Sequence, residues 1–258
     1  MGGSVPIKNE VILSTTLLNE IDSLDETAGV LVSGSGCILH DLQTYASDRN
    51  YLVPVDLGAK GSCCIGGNVS TNAGGQYFFR YGSLHANVLG LEVVLPNGDI
   101  LDLLNTNLKD NTGYDLKHLF IGAEGTLGVV TKVALQCARM PRSKNAVFVA
   151  CSSFENVRKT LMLAKDCLGE ILAAFEFMDR EVLDIVGKSK RIPVLMESKD
   201  GDDSSSMNYP YCILIETHGS DPDHDTAKME NFLEQAMADE GSVVDGALAQ
   251  DMTQLQDM

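Results

Sequence analysis

The amino-acid sequence predicts an α+β protein built from two units that meet near Pro141. Short apolar runs typical of strands alternate with amphipathic segments typical of helices along its 258 residues. Eight of the 24 glycines fall between Gly58 and Gly90, which indicates backbone that turns tightly or approaches something closely. After Pro141 this glycine-rich pattern ends, and strands and helices follow in the order of a split ferredoxin-like unit.

The first unit is predicted to contain several strands and one long helix. A buried strand covers 28–33, and an amphipathic helix is expected at 37–50 from the helical spacing of its apolar residues Ile38, Leu39, Leu42, Tyr45 and Ala46. The apolar runs 88–95 and 99–104 flank Asn97-Gly98, a strong signal for a β-hairpin because both residues tolerate positive φ. A further strand is expected at 128–137.

The second unit is predicted to contain four strands and three helices. Ser153 is a candidate N-cap for the first helix, because its hydroxyl can accept a hydrogen bond from a backbone N–H of the first turn. The polar stretch 198–208 is predicted to be a loop. The expected strands are 145–151, 171–177, 211–217 and 242–244, and the expected helices are 154–168, 179–187 and 226–238.

Composition excludes several classes of partner. Nineteen Lys and Arg against 36 Asp and Glu give a net charge of −17, which argues against nucleic acid and anionic membranes. No stretch approaches the roughly 18 apolar residues of a membrane span, and no signal peptide is visible. Seven cysteines, an odd number without a Cys-x-x-Cys spacing, do not form a disulfide framework or an obvious zinc site and favour a reducing compartment.

Short motifs for common catalytic sites are absent from the sequence. Gly34-Ser-Gly36 follows a strand, but Leu39 stands where a dinucleotide fingerprint needs its third glycine. There is no Walker A loop and no Gly-x-Ser-x-Gly nucleophile elbow. The five histidines lack the local spacing of a metal site, so we predict no metal ligand from them.

The segment from Pro54 to Leu84 is the candidate binding region. It joins Gly66-Gly67-Asn68 to Thr71-Asn72-Ala73-Gly74-Gly75, where small residues clear space and Asn and Thr supply hydrogen bonds. Successive glycine amides can form an anion-binding nest for a diphosphate, and a flat ring system needs close approach to the backbone. A glycine-rich surface loop is the alternative, although it does not account for the ordered Thr-Asn-Ala between the glycines.

Five motifs follow one another in a fixed order along the chain. They are Ile65-Gly-Gly-Asn-Val-Ser-Thr-Asn-Ala-Gly-Gly75, Arg80-Tyr-Gly-Ser-Leu84, Leu89-Gly-Leu-Glu-Val-Val-Leu-Pro-Asn-Gly98, Asp110-Asn-Thr-Gly-Tyr-Asp-Leu116 and Leu119-Phe-Ile-Gly-Ala-Glu-Gly-Thr-Leu-Gly128. In this order they resemble the FAD-linked 2-hydroxy-acid oxidoreductases, which have the vanillyl-alcohol-oxidase or PCMH type of FAD-binding fold. Among these the D-2-hydroxyglutarate dehydrogenases are most similar, and the resemblance continues through Gly169-Glu-Ile-Leu-Ala-Ala-Phe-Glu-Phe-Met-Asp179 and Ile213-Leu-Ile-Glu-Thr-His-Gly219.

The resemblance implies a set of FAD-binding residues. The tail of a first FAD loop is expected at Gly2, Gly3 and Ser4. A second FAD loop is expected at Gly66, Gly67, Asn68, Thr71, Asn72, Gly74 and Gly75, and the wall that continues it at Arg80, Tyr81, Gly82 and Leu84. The segment bordering the flavin is expected at Asn111, Thr112, Gly113 and Tyr114, and the return loop and strand at Glu124, Gly125, Gly128 and Val129.

The resemblance also implies the fold and the activity. It implies a PCMH-type FAD-binding domain over 1–141, truncated at its N-terminus, and a ferredoxin-like α+β cap domain over 142–258, truncated at its C-terminus. The implied reaction is FAD-dependent oxidation of a D-2-hydroxy acid, D-2-hydroxyglutarate to 2-oxoglutarate, by hydride transfer to flavin N5. Electrons would pass to an acceptor such as an electron-transfer flavoprotein. The family location is the mitochondrial matrix, although no transit peptide is visible.

The chain departs from the family pattern at both ends. Members carry the His and Glu ligands of a divalent metal such as zinc, the basic substrate-binding residues and the catalytic His in a C-terminal half that lies beyond Met258. We therefore name no catalytic residue and no metal ligand, and expect the sequence to be a fragment. The alternatives are a D-lactate dehydrogenase of the same family, or a non-catalytic FAD-binding remnant.

Overall fold

The computed structural model describes residues 5–186, 209–238 and 241–248, and the chain divides into two units. The first unit is Met1–Gly75 with Gly82–Met140, and the second is Gln76–Tyr81 with Pro141–Met258. Six residues that directly follow the glycine-rich segment therefore belong to the second unit. None of the helices within the described ranges has both the length and the apolar character needed to cross a bilayer.

A five-stranded antiparallel sheet forms the framework of the first unit. Its strand order is β1-β2-β6-β4-β5, and β3 pairs separately with β7. The elements up to Met140 are β1 (Ile21–Asp25), β2 (Val30–Gly34), α1 (Leu39–Ser47), β3 (Tyr51–Leu52), α2 (Ile65–Ser70), α3 (Phe78–Tyr81, in the second unit), α4 (Leu84–Asn87), β4 (Val88–Val94), β5 (Ile100–Leu103), α5 (Lys117–Phe120), β6 (Val129–Gln136) and β7 (Ala138–Arg139).

The core of the first unit lies between this sheet and the helices that pack on it. Leu39, Leu42 and Ala46 of α1 are fully buried, as expected for one apolar face of a helix. They share a hydrophobic cluster with Leu91 of β4 and Val133 of β6. Burial of apolar side chains stabilises the unit by about 25 cal/mol per Å² of apolar surface removed from water.

The hairpin predicted around Asn97-Gly98 is confirmed. Strands β4 and β5 pair antiparallel, with Val94 opposite Ile100, and the Gly98 N–H donates to the Leu95 carbonyl oxygen at 2.9 Å. Gly98 has φ +91°, a conformation that glycine adopts without a steric cost. The helix predicted at 37–50 is present as α1, two residues shorter at its start and three at its end.

The second unit contains a four-stranded antiparallel sheet with the strand order β11-β8-β10-β9. This order, with α6 and α8 packed against each other, is that of the predicted split ferredoxin-like fold, which is therefore confirmed. Its elements are β8 (Ser143–Cys151), α6 (Phe154–Leu168), β9 (Leu172–Asp179), α7 (Arg180–Val186), β10 (Tyr211–Gly219), α8 (Pro222–Ala236) and β11 (Asp245–Leu248).

The two faces of this sheet differ in character. On one face Ile213 and Ile215 pack with Met229 and Phe232 of α8 in an apolar cluster. On the other, Cys212 and Leu214 form a smaller cluster with Leu183 of α7. Because side chains alternate along a strand, the second face continues from Leu214 to Glu216 and His218.

Two helices in the second unit show how capping decides where a helix begins. The predicted N-cap at Ser153 is confirmed, since its hydroxyl accepts from the Asn156 N–H at 3.2 Å. Helix α8 begins at Pro222, four residues earlier than expected, because Asp221 caps it by accepting from the His224 N–H.

The final strand also differs from its prediction. It was expected at 242–244 and lies instead at Asp245–Leu248, because the Val243 N–H closes a turn on the Ala236 carbonyl oxygen. The polar loop expected at 198–208 lies outside the described residues.

Replacing Gly90 by alanine is expected to destabilise the first unit. A methyl group there would lie 2.2 Å from the backbone nitrogen of Asn105, so β4 or the chain after β5 would have to shift. Overpacking of this kind costs about 1–3 kcal/mol, measurable by denaturant unfolding. Gly58→Ala is the matched control, because nothing lies within 4 Å of the added methyl group. Equal stability of the two variants would contradict this account.

Candidate functional site

The glycine-rich segment forms a short helix whose first amides are already bonded. The Ile65 N–H donates to the Cys37 carbonyl oxygen at 2.9 Å, and the Gly66 N–H donates to that of Ser35 at 2.8 Å. The Asn68 N–H donates to the Cys64 carbonyl oxygen. The Ile65 and Gly66 amides fasten α2 to the connection between β2 and α1, the Asn68 amide is used within the helix, and none of the three is free for the open nest that the sequence suggested.

The four glycines of this segment fall into two classes. A methyl group at Gly66 would lie 2.5 Å from Cβ of Ser35, and one at Gly75 would lie 2.8 Å from the carbonyl oxygen of Asp56. Packing therefore requires glycine at both positions. At Gly67 and Gly74 an added methyl group would meet nothing within 4 Å. The fold does not explain glycine at these two positions, and they leave the backbone open to an approaching molecule.

Asn68 lies between these glycines with an unused hydrogen-bond acceptor. Its side chain is 7% exposed, and its Oδ1 has no partner among the described residues. A buried polar atom without a partner costs about 1–3 kcal/mol, so such atoms are rare unless a ligand or water satisfies them. The hydroxyl of Ser35, whose Cβ would contact a side chain at Gly66, is also buried without a partner among these residues.

The return loop is fastened directly to the end of α2. The Gly122 N–H donates to the Val69 carbonyl oxygen at 3.1 Å, and the Glu124 N–H donates to that of Ser70 at 2.8 Å. Glu124 has φ +52°, which is uncommon for a residue with a side chain. The structure thus brings Glu124 and Gly125 beside the glycine-rich segment, as a shared binding region requires.

Other members of the predicted set have mainly backbone roles in the fold. A methyl group at Gly128 would lie 2.7 Å from Cγ1 of Val93, so packing requires this glycine. Val129 pairs with Val94 in the sheet. Leu84 is 2% exposed and belongs to the core, so only its backbone can face a ligand. Gly2, Gly3 and Ser4 lie outside the described residues.

The segment predicted to border the flavin lies along two neighbouring cavities of the first unit. Gly113 and Tyr114 line a cavity of about 510 Å³, and Asn111 lines one of about 300 Å³. No residue of Gly66–Gly75 lines either cavity. The Thr112 hydroxyl and backbone N–H hold the pKa of Asp110 below its usual value.

A stacked pair of histidines lies on the wall of the smaller cavity. The rings of His85 and His118 are 4.2 Å apart between centroids and nearly parallel, and Nε2 of His118 lies 3.1 Å from Oδ2 of Asp115. Burial, followed by the neighbouring His118 and Lys117, lowers the pKa of His85. Within the described ranges, no group of three or more His, Cys, Asp or Glu side chains is arranged to hold a metal ion.

Arg80 and Tyr81, predicted as part of the cofactor wall, have their polar groups engaged within the second unit. The Arg80 guanidinium donates to the carbonyl oxygen of Glu170. The Tyr81 hydroxyl lies 2.8 Å from Nδ1 of His218, which is 1% exposed. Gly82, where the chain returns to the first unit, has φ +73°.

Sequence reasoning missed Ser35 and His218. Ser35 is adjacent in sequence to Gly34 and Gly36, but only the folded chain places it against Gly66. For His218 a signal was available, because strand alternation places it on the same face as Cys212 and Leu214 and so predicts a buried side chain.

Two family models match the chain in sequence order. Residues 1–104 match the model for an FAD binding domain, and residues 140–258 match the model for the C-terminal domain of FAD linked oxidases. The predicted fold class, an FAD-binding domain followed by an α+β cap domain, is confirmed.

The curated relatives cover nearly all of this chain. Mitochondrial D-2-hydroxyglutarate dehydrogenase of Rattus norvegicus is 48% identical over 256 residues, which are 99% of this chain and 46% of the relative. The Arabidopsis thaliana enzyme of the same name is 52% identical over 257 residues, 98% of this chain and 44% of the relative. D-2-hydroxyglutarate–pyruvate transhydrogenase of Saccharomyces cerevisiae is 43% identical over 252 residues, which are 97% of this chain and 49% of the relative. The chain spans about half the length of these relatives.

Solved structures with the same fold include two crystal forms of alkyldihydroxyacetonephosphate synthase. The P1 form has a TM-score of 0.74 and covers 98% of this chain and 47% of the solved chain. The P212121 form has a TM-score of 0.70, with coverage of 93% and 43%. Both are 16% identical in sequence, so they support the fold alone. The two domain matches and the curated relatives agree that the chain is similar to FAD-linked oxidoreductases over nearly all of its length.

Proposed function

We propose that the first unit of this chain binds FAD and that the chain takes part in the FAD-dependent oxidation of D-2-hydroxyglutarate to 2-oxoglutarate. The observation that carries the proposal is the combination, in α2 and the residues that follow it, of open glycines with a buried, unused acceptor. Gly67 and Gly74 are not required by packing, and Oδ1 of Asn68 has no partner among the described residues. This segment lies inside the match to the FAD binding domain.

The chemistry of FAD fits this arrangement. Its flat ring system and diphosphate need close approach to backbone, which the open positions at Gly67 and Gly74 allow. Its ring N–H, amino and hydroxyl groups can donate to Oδ1 of Asn68. Bound FAD would supply the hydride acceptor that the oxidation requires. Gly66 and Gly75 have a different role, since their lack of a side chain keeps the segment packed against Ser35 and Asp56.

The remaining predicted residues complete the proposed site. Docking of the return loop on α2 supports roles for Glu124 and Gly125, and we expect Gly128 and Val129 to contribute backbone. Tyr114 is 95% exposed, so its ring is available to a ligand. The proposed domains are 1–141 for FAD and 142–258 for the substrate side. The other members of the proposed site are Gly2, Gly3, Ser4, Thr71, Asn72, Arg80, Tyr81, Gly82, Leu84, Asn111 and Gly113.

The proposed substrate, D-2-hydroxyglutarate, is the compound after which the relatives described above are named. Oxidation of a 2-hydroxy acid needs a base for the hydroxyl proton and a cation for the carboxylate, and we assign neither role to a residue of this chain. D-lactate is the second candidate, because the yeast relative is named as a transhydrogenase acting with pyruvate, the oxidised form of lactate. An electron-transfer flavoprotein as acceptor and the mitochondrial matrix as location are part of the proposal.

Gly67→Ala is expected to weaken FAD binding without loss of stability. The added methyl group meets no protein atom within 4 Å, and alanine raises helix propensity, so the free energy of unfolding should stay the same or rise by up to about 1 kcal/mol. The dissociation constant of FAD, from flavin fluorescence, should rise about tenfold or more, a change of about 1.4 kcal/mol. Gly58→Ala is the control, because a methyl group added there also meets nothing within 4 Å and the position lies outside Gly66–Gly75. An unchanged FAD affinity in Gly67→Ala would refute this role.

Turnover with an artificial electron acceptor tests the substrate. Protein loaded with FAD should oxidise D-2-hydroxyglutarate with a kcat/KM at least about tenfold above that for D-lactate, since a site built for the second carboxylate rejects substrates without it. The reverse order would favour the D-lactate alternative. Bound FAD with no turnover on either acid would identify the chain as a non-catalytic FAD-binding protein.

A further inference from the structure

The tip of the hairpin between β4 and β5 exposes an asparagine that is followed by a glycine. Asn97 and Gly98 are both exposed to solvent, as are Pro96 and Asp99 on either side of them. Asn97 is also the only asparagine of the sequence that directly precedes a glycine. Because glycine has no side chain to shield its backbone nitrogen, this nitrogen can approach the asparagine side chain closely.

An asparagine in this setting can lose ammonia without the help of an enzyme. The Gly98 nitrogen gives up its proton to a base from solvent and attacks Cγ of Asn97, and the new C–N bond closes a succinimide ring. The bond between Cγ and Nδ2 breaks, and Nδ2 takes up a proton and leaves as ammonia. Water then opens the ring at either of its carbonyl groups and leaves aspartate or isoaspartate at position 97. No oxidant or reductant takes part.

Hydrogen bonds in the folded turn oppose this attack. The Gly98 N–H donates to the Leu95 carbonyl oxygen at 2.9 Å, so the proton that has to leave is engaged. Oδ1 of Asn97 accepts from the Asp99 N–H at 3.1 Å, and Nδ2 of Asn97 donates to Oδ2 of Asp99 at 2.6 Å. Both polar atoms of the carboxamide are therefore bonded to Asp99, which restricts the rotation that brings Cγ to the Gly98 nitrogen.

The bond to the Asp99 carboxylate distinguishes this turn from an ordinary one. Bonds like those of the Gly98 N–H and of Oδ1 of Asn97 are common in turns, since they need only the backbone and an asparagine. The bond from Nδ2 needs an acceptor side chain in the right place, and a charged acceptor makes it roughly twice as strong as a neutral bond. The Leu95 N–H donates to the Asp99 carbonyl oxygen at 2.9 Å and so fixes the backbone that carries this acceptor.

We propose that Asn97 is a site of spontaneous deamidation, and that Asp99 sets the rate in the folded protein by holding the carboxamide. Local opening of an exposed turn costs far less free energy than global unfolding. The reaction therefore proceeds in the folded protein, although more slowly than in an unfolded chain. This inference does not depend on the proposed function, because the hairpin reacts with water alone.

Both products weaken the hairpin. Aspartate at position 97 has no donor for Oδ2 of Asp99, and two carboxylates would then stand where Nδ2 and Oδ2 are 2.6 Å apart. Isoaspartate inserts an extra carbon into the main chain at the turn that places Val94 opposite Ile100. Deamidation therefore loosens β5, which is an edge strand of the five-stranded sheet.

The rate at position 97 is measured by peptide mapping with mass spectrometry while the folded chain is incubated in mildly alkaline buffer. The denatured wild-type chain should react at least about tenfold faster than the folded protein, because none of the turn's hydrogen bonds restrains it. Asp99→Ala should raise the rate in the folded protein about tenfold, the scale of one lost bond to a charged group. Asn97→Gln is the control for the assignment, since its longer side chain disfavours ring closure.

Asp99→Asn separates the hydrogen bond from the charge. It removes the charge as Asp99→Ala does, but its amide oxygen can still accept from Nδ2, so its rate should stay within about threefold of the wild type. Equal rates in Asp99→Ala and Asp99→Asn would overturn the role of this bond. Folded wild-type protein that stays unmodified at position 97, over a time in which the denatured chain is converted, would overturn the site itself.

Asn97→Asp tests the consequence for the hairpin. It reproduces the aspartate product, and the unfolding equilibrium constant should rise about fivefold, the scale of one lost hydrogen bond, in denaturant unfolding. An unchanged or lower constant would overturn the claim that the product weakens the turn.

Discussion

Contact between two stretches of backbone, with no side chain between them, is the constraint on which the first unit depends. At Gly90 it brings β4 against Asn105, and at Gly66 it brings α2 against Ser35. A methyl group at either place would lie within 2.5 Å of another residue. The glycine-rich segment therefore takes its position from the end of β2 and from the connection between β2 and α1. The open backbone at Gly67 and Gly74 is presented by a framework that has little freedom to move.

The second unit uses a different kind of contact. Its sheet is closed on one face by α6 and α8 mainly through apolar side chains, with the buried hydroxyls of Thr160 and Ser242 bonded to each other among them. The other face combines a small apolar cluster with Glu216 and His218. There the cost of burying His218 is met in part by its bond to Tyr81, while its Nε2 has no hydrogen-bond partner among the described residues. Such a face can hold a segment in one orientation, which apolar packing does less selectively.

Local sequence patterns were sufficient for the long elements of both units. The apolar spacing in α6 and the Asn97-Gly98 turn depend on neighbouring residues, and both were predicted closely. Helix α2 could not be predicted, because glycine and asparagine are poor helix formers and the helix is held by carbonyl groups of Ser35 and Cys37. Strand β1 was missed because it is an edge strand with mainly polar, exposed residues.

The candidate site was predictable in part for the same reason. Its glycines are a local pattern, but their division into packed and open positions depends on what each added methyl group would meet. That division can be made only from the folded structure. The attachment of residues 76–81 to the second unit depends on a pairing across 137 positions, for which the sequence around Tyr81 contains no signal. Long-range pairing of this type is the part of a site that single-sequence reasoning does not reach.

The segment 76–81 has one more consequence, for solubility. Strand β9 is an edge of the four-stranded sheet, and α3 packs against it with Phe79 close to Phe175. An exposed strand edge can pair with the edge of another molecule, and proteins commonly cover such edges with a helix or loop. Here α3, which follows the glycine-rich segment in the chain, covers this edge. Its release would expose an eight-residue strand in which Phe177 is already 51% exposed, and would favour self-association.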